Sequence, residues 1–199
     1  MEILKKGPIR TPFGFGSTAD EVVSGFDLSG KRIVVTGGAS GIGIETARAL
    51  ARAQAEVTLA VRRIEAGQEV AVEIKRATGN PNIFVRRLDL ADLNSVKEFV
   101  GGWDGPLHVL VNNAGIMALP ELERTPEGWE MQFATNFLGH FALTVGLRKA
   151  LAAANVARIV SVSSSANMMS PVIFDDLHFN FLPYSPLLPT DSRRPLASC

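Results

Sequence analysis

Short β-branched runs alternate along this chain with stretches whose apolar residues recur every three or four positions, and the alternation predicts its elements. The pattern starts at Lys31. "KRIVVTG" predicts a first strand ending in glycine, and "GIGIETARALARA" a helix with Ile42, Thr46, Ala49 and Leu50 at helical spacing. "AEVTLAVR" predicts a second strand, "RIEAGQEVAVEIKRAT" a polar-faced helix, "NIFVRRLDL" a third strand and "DLNSVKEFVGGW" a helix capped by Asp92. "LHVLVNNAG" predicts a fourth strand. Thr125 before Pro126 predicts an N-cap with proline in the first turn of a helix that runs to about Ala154. Trp129, Phe133, Phe137 and Phe141, each four apart, are its expected buried stripe. "ARIVSVSSS" predicts a fifth strand. Strands separated by helices of this length imply a parallel sheet with right-handed crossovers, covered on both faces, so the fold class is doubly wound α/β.

Before this repeat, residues 1 to about 16 carry Gly, Pro and basic residues in no period, which reads as an arm. Ser17 or Thr18 is positioned to cap a short helix through Val23.

An apolar share of 46% in 199 residues fits one globular core. Twenty basic residues balance twenty acidic ones, which leaves no net field to gather polyanions. Nucleic acid and anionic membrane surfaces are therefore poor candidate partners, and small molecules are the expected ones. Cys199 is the single cysteine, so no intrachain disulfide forms, which fits a reducing compartment. The N-terminus lacks an apolar core of signal-peptide length. The most apolar run, "FATNFLGHFALTVGL", is interrupted by Asn136 and His140, so no membrane span is expected and a cytoplasmic setting is.

"TGGASGIG", Thr36 to Gly43, falls between the first strand and the first helix. In that place glycines let the backbone turn tightly and approach a pyrophosphate, while the helix N-terminus presents unpaired N–H groups and a positive dipole end. Anion binding follows from the geometry. The glycines at Gly37, Gly41 and Gly43 have a Gly-x-x-x-Gly-x-Gly spacing, unlike the Gly-x-Gly-x-x-Gly of the plainer dinucleotide fingerprint.

With "NNAG" (Asn112 to Gly115) after the fourth strand, "LDL" with Asp89 after the third, and "NFLGHF" with Asn136, the chain resembles the short-chain dehydrogenase/reductase family over about residues 28–188. "DLSGK" (Asp27 to Lys31) and "FDDLHF" add a likeness to its retinol-dehydrogenase-like and WW-domain-oxidoreductase-like members. The resemblance implies a Rossmann sheet of order 3-2-1-4-5 and a carbonyl or alcohol substrate. It divides the chain into an arm with a short helix (1–27), a dinucleotide-binding domain (28–188) and a tail unlike the family (189–199). Its cofactor-binding positions are Gly37, Ser40, Gly41, Ile42, Gly43, Arg62, Asp89, Leu90, Asn113, Ala114 and Gly115, with Asp89 at the adenine amine. Asn112 reads as a structural tie between neighbouring strands. No metal site is assigned.

The second strand ends "LAVRR", where an acid would accept from a free ribose 2′-hydroxyl and a guanidinium would pair with a 2′-phosphate. Arg62 and Arg63 stand there, so NADP is favoured over NAD; arginines at strand ends also serve simply as solvated charge.

Open parallel sheets place ligands at the carboxyl ends of their strands, which is where "VSSSAN" falls. By resemblance Ser164 is the catalytic serine, with Ser163 or Ser165 one register away, and Asn136 holds a water in a proton relay. The family pairs these with Tyr-x-x-x-Lys, whose one-turn spacing lets the ammonium lower the phenol's pKa. Tyr184 is the one tyrosine, and Leu188 stands four residues on.

In the "FDDL" members that motif is expected near position 190, where this chain has Thr190 and, four on, Arg194. Codons compatible with "TDSRRPLA", read one base earlier, spell Tyr-Gly-Gln-Ser-Lys-Thr-Ala. The expectation is a chain ended early by a one-base slip near Pro189 or by an alternative ending, without the later strands and helices. Two functions remain open: an oxidoreductase that is catalytically incomplete, or a non-catalytic dinucleotide-binding or regulatory module. The fifth strand then becomes an edge, part of the Phe133 to Phe141 stripe is left exposed, and self-association is expected.

Overall fold

A computed structural model describes residues 11–164 and 173–184. Ser165 and the tail at 189–199 lie outside the described residues. Five parallel strands form one sheet: β1 (Arg32–Thr36), β2 (Glu56–Val61), β3 (Ile83–Arg87), β4 (Val109–Asn112) and β5 (Arg158–Ser161). Their order is β3-β2-β1-β4-β5, as the resemblance implies. Helices α2 (Gly41–Arg52), α3 (Ile64–Thr78) and α4 (Leu93–Gly101) connect the first four.

Alternate residues of each strand face opposite sides, and the two sides bury separate cores. Ile33, Val35, Val57 and Leu59 pack with Ala47, Ala51 and Ile74 from α2 and α3. Val34 and Leu110 pack with Val96, Phe99, Leu143 and Leu147 on the other side. Helix α2 meets the sheet through Gly43, Ala47 and Ala51, not through a face containing Ile42, because small residues allow the closest approach. Ile42 is 74% exposed.

The N-terminal helix α1 (Ala19–Val23) is closed by a capping box of Thr18 and Glu21, and Asp20 forms an ion pair with Arg52 of α2. Asp92 caps α4 through the Asn94 N–H, as its sequence predicts.

The segment after β4 departs from the expected single helix. Residues 125–128 form a turn with Gly128 at φ +89°, and Arg124 bridges Glu130. The helix begins at Met131, where the buried Glu130 carboxylate accepts from the N–H groups of Gln132 and Phe133. A charged acceptor at the N-cap outweighs the proline signal at Thr125. The short α5 (Met131–Phe133) runs into a π-helical turn (Ala134–Leu138), then α6 (Gly139–Gly146) and α7 (Arg148–Ala153).

The π turn adds one residue per turn, so the buried face steps from Ala134 to Gly139 and His140 before resuming at Leu143, Leu147 and Leu151. The expected aromatic stripe is buried only towards one end: Phe133 is half-buried and tilted against Phe137, which stacks on Phe141, and Phe137 and Phe141 are each 59% exposed. Gly139 fixes the helix against the loop after β3, since a Cβ there would stand 2.2 Å from the Leu90 carbonyl oxygen.

"FDDLHF" forms a docked turn. Asp176 accepts from the N–H groups of Asn180, Phe181 and Leu182, and His178 Nδ1 accepts from Glu130 N–H. Burial works to raise the Asp176 carboxyl, but those three donors and Arg124 together hold it below the usual range.

Candidate functional site

At the carboxyl ends of the strands the loops enclose a cavity of about 520 Å³. That is the position where a doubly wound sheet binds ligands, at the point where the strand order reverses between β1 and β4.

The glycine turn forms its centre through Gly37, Ser40, Gly41, Ile42 and Gly43. Gly37 turns at φ +67°, which the missing side chain permits. A Cβ on Gly43 would lie 2.3 Å from the Gly37 carbonyl oxygen and 2.7 Å from Asn113 Nδ2, so only glycine lets helix and turn meet here. Ser40 is the N-cap of α2, yet its side chain makes no capping bond. No side chain caps the dipole of this twelve-residue helix at the cavity; the Gly43 N–H donates to Ser40 O at 3.1 Å, which leaves the N–H groups of Gly41 and Ile42 for an anion.

One end of the cavity is basic. Arg62 and Arg63 line it at the end of β2, both exposed and neither in an ion pair among the described residues. Asp89 and Leu90 follow from the end of β3, and the Asp89 carboxylate accepts from Ala91 N–H. Asn113, Ala114, Gly115 and Ile116 form the opposite wall with Thr135 and Val162. Every cofactor-binding position named from the sequence therefore lines one cavity.

Neither of the two catalytic candidates is among the residues that line the cavity. Asn136 is exposed on the π turn, and its amide clamps one residue: Oδ1 accepts from Ile116 N–H at 2.9 Å and Nδ2 donates to Ile116 O at 2.8 Å. Ser164 is exposed two residues past Val162, among the residues after β5. Tyr184 is placed elsewhere. Its hydroxyl donates to Leu119 O and accepts from Gln132 Nε2, and burial with Glu130 and Glu123 nearby pushes its pKa up.

The side chain that ties neighbouring strands is not Asn112. Asn113 Nδ2 donates to Thr36 O across to β1, whereas Asn112 Nδ2 donates to Thr144 on α6. The reason is the strand's alternation: successive side chains point to opposite faces, and the residue facing β1's turn is the second asparagine. Thr36 was not singled out from the sequence, although its hydroxyl accepts from both Asn113 N–H and Ala114 N–H at 2.9 and 3.0 Å. Its place immediately before the glycines was the available signal.

The sequence profile described as short chain dehydrogenase matches residues 31–174. The chain belongs to the short-chain dehydrogenase/reductase family. It is similar to the "Probable oxidoreductase" of Streptomyces antibioticus, 54% identical over 160 residues that cover 80% of this chain and 54% of that protein. Human "Retinol dehydrogenase 11" is 46% identical over 153 residues, covering 75% of this chain and 48% of its own length. This short-chain dehydrogenase/reductase chain thus spans about half the length of the curated relatives it matches. Among solved structures, an uncharacterised protein from Mycobacterium paratuberculosis aligns with TM-score 0.75 at 41% identity, covering 86% of this chain and 59% of that one. A short chain dehydrogenase from Escherichia coli CFT073 complexed with NADPH aligns with TM-score 0.61 at 29% identity, covering 71% and 61%. No helix among the described residues is long and apolar enough to cross a membrane.

Proposed function

We propose that this cavity binds NADP(H) and that the chain carries the cofactor site of an oxidoreductase acting on a carbonyl or alcohol substrate. The observation that carries the reading is one cavity with an uncapped helix N-terminus at its centre and two unpaired arginines at its adenosine end. The glycine turn has room for a pyrophosphate at Gly41, whose Cβ position meets nothing within 4 Å, while Gly43 lets the helix close onto the turn. A bound nicotinamide dinucleotide supplies or accepts the hydride. Arg62 pairs with the 2′-phosphate, the N–H groups of Gly41 and Ile42 receive the pyrophosphate, and Asp89 faces the adenine. Asn136 and Ser164 bound the nicotinamide end, with Ser164 donating to the substrate oxygen. The NADPH complex of the Escherichia coli relative and the NADP complex of a metagenomic one support the choice of cofactor. Residues 28–188 form the domain that holds it, and a single cysteine supports a cytoplasmic setting.

Fluorescence titration of NADPH and NADH, with Arg62→Ala alongside, tests this reading. A charge-assisted bond is worth about 1.5–3 kcal/mol, and exposure of the pair puts the loss at the low end, about tenfold in NADPH affinity. NADH affinity stays within about twofold. Equal affinity of the parent chain for the two dinucleotides refutes the assignment.

A second reading, dinucleotide binding without turnover, is favoured by Tyr184. The single tyrosine is held by Leu119 and Gln132, and its pKa is raised, the reverse of what a proton-transferring phenol needs. On this reading the 199-residue polypeptide binds NADPH yet reduces none of a panel of aldehydes and ketones. Turnover that survives Ser164→Ala would remove both the second reading and the serine assignment.

The same reading includes association between copies. Ile159 and Val160 are 51% and 44% exposed on β5, the last strand of the sheet among the described residues, and Val162 just past it is 52% exposed, with no proline to block edge pairing.

A further inference from the structure

His140 is the one buried histidine among the described residues, and it stands in the apolar run of α6 with 7% of its surface exposed. Its two ring nitrogens reach different parts of the molecule. Nδ1 lies 3.0 Å from the Asn136 carbonyl oxygen, and Nε2 lies 2.9 Å from Thr36 Oγ1. A carbonyl only accepts, so Nδ1 carries the proton and Nε2 is the acceptor. The Thr36 hydroxyl must then donate to Nε2, which leaves its lone pairs for the N–H groups of Asn113 and Ala114. Every donor in the set meets an acceptor. Val111 O, at 3.3 Å, is the longer alternative for the hydroxyl proton, and turning to it would leave Nε2 without a donor.

We infer that His140 is a positioning residue of the dinucleotide site: its neutral imidazole couples the Asn136 carbonyl to the turn at Asn113–Ala114 and holds the nicotinamide-side wall in register with the glycine turn. The inference rests on the dinucleotide reading given above. The connection ties the π turn, which no strand pairing reaches, to the end of β1 and the loop after β4, whose strands pair as far as Val35 and Val111. Ile116 extends the same wall, since the Asn136 amide holds its backbone on both sides. The adenosine end, at Arg62 and Asp89, touches none of these bonds. Both ring partners are neutral, no charged group hydrogen-bonds the ring among the described residues, and burial lowers its pKa against the opposing pull of the Asn136 carbonyl.

The asymmetry between the two ends gives the test. NADPH and 2′,5′-ADP, which carries only the adenosine end, are titrated against the whole parent chain, His140→Phe and His140→Gln. His140→Phe is expected to lose about tenfold in NADPH affinity while 2′,5′-ADP stays within about twofold. Glutamine, whose Oε1 accepts from the Thr36 hydroxyl, is expected to recover most of the loss. Unchanged NADPH binding in His140→Phe, or an equal loss for both ligands, overturns the inference. Nitrogen-15 spectra of the parent chain add a measurement that needs no variant to fold: Nδ1 protonated and Nε2 bare is expected, and Nε2 protonated overturns it. A parent chain that binds neither ligand overturns the dinucleotide reading, and this inference with it. A parent that binds both while His140→Phe is unaltered overturns this inference alone.

Discussion

Replacing Gly43 by alanine sets two effects of opposite sign against each other. Gly43 lies in the first turn of α2, where alanine is favoured over glycine by about 0.8–1.0 kcal/mol in intrinsic helix propensity. On propensity alone Gly43→Ala would raise the melting temperature. The added methyl, however, would stand 2.3 Å from the Gly37 carbonyl oxygen and 2.7 Å from Asn113 Nδ2, and real Cβ contacts essentially never fall below 3.0 Å. Helix and turn must part by most of an ångström. Overpacking of this kind costs about 1–3 kcal/mol, and displacing Asn113 also threatens its 2.9 Å bond to Thr36 O, worth about 0.5–1.5 kcal/mol. After the propensity gain is subtracted, the net destabilisation is about 1–3 kcal/mol. For a chain of this length each kcal/mol moves the midpoint by about 2–4 °C. A thermal melt with a parallel NADPH titration reads both consequences: a lower midpoint and lost binding. Gly41→Ala is the control, because Gly41 has φ +50° with open space around its Cβ position and suffers only left-handed strain of about 1–2 kcal/mol. An unchanged or raised midpoint in Gly43→Ala would refute the close approach of helix and turn.

Acid should weaken the fold in a defined window. Burial lowers the pKa of His140, and burial with Lys31 and Arg32 lowers that of His108, so below about 6.5 the unfolded chain takes up protons that the folded chain refuses. Stability therefore falls as pH falls from about 6.5 towards the folded values, and urea melts between pH 7.5 and 5.5 show the slope, reduced in His140→Phe; stability that rises on acidification contradicts it. Association through β5 is expected to appear as concentration-dependent light scattering, reduced by Ile159→Lys, whereas a monomer at all concentrations removes the edge as a pairing surface.

Strand positions and the glycine turn were legible because each depends on local pattern: β-branched runs, and glycines placed between strand and helix. What escaped the sequence depends on contacts between distant residues. Thr125 and Pro126 carry a genuine helix-start signal, but Glu130, buried by the docked "FDDLHF" turn, supplies a stronger cap, and the helix starts there instead. A four-residue aromatic spacing could not reveal the π turn at Ala134–Leu138, which shifts the buried face to Gly139 and His140. In α2, the apolar Ile42 was read with the helix face, yet close packing on the sheet selects Gly43, Ala47 and Ala51. The assignment of strand tying to Asn112 in place of Asn113 is a shift of one residue, and in a strand one residue reverses the side a chain faces. Thr36 had its place before the glycines as a local signal, but its hydrogen bond with His140 spans 104 residues of sequence, which no local pattern announces.

A crystal structure of the chain grown with NADPH shows whether the cavity at the carboxyl ends of β1 to β4 is an NADP(H) site with a fixed polarity. The pyrophosphate is expected against the N–H groups of Gly41 and Ile42, the 2′-phosphate between Arg62 and Arg63, and the nicotinamide towards Ile116 and Asn136. A dinucleotide bound in the opposite direction, or one bound away from the glycine turn, would refute the assignment.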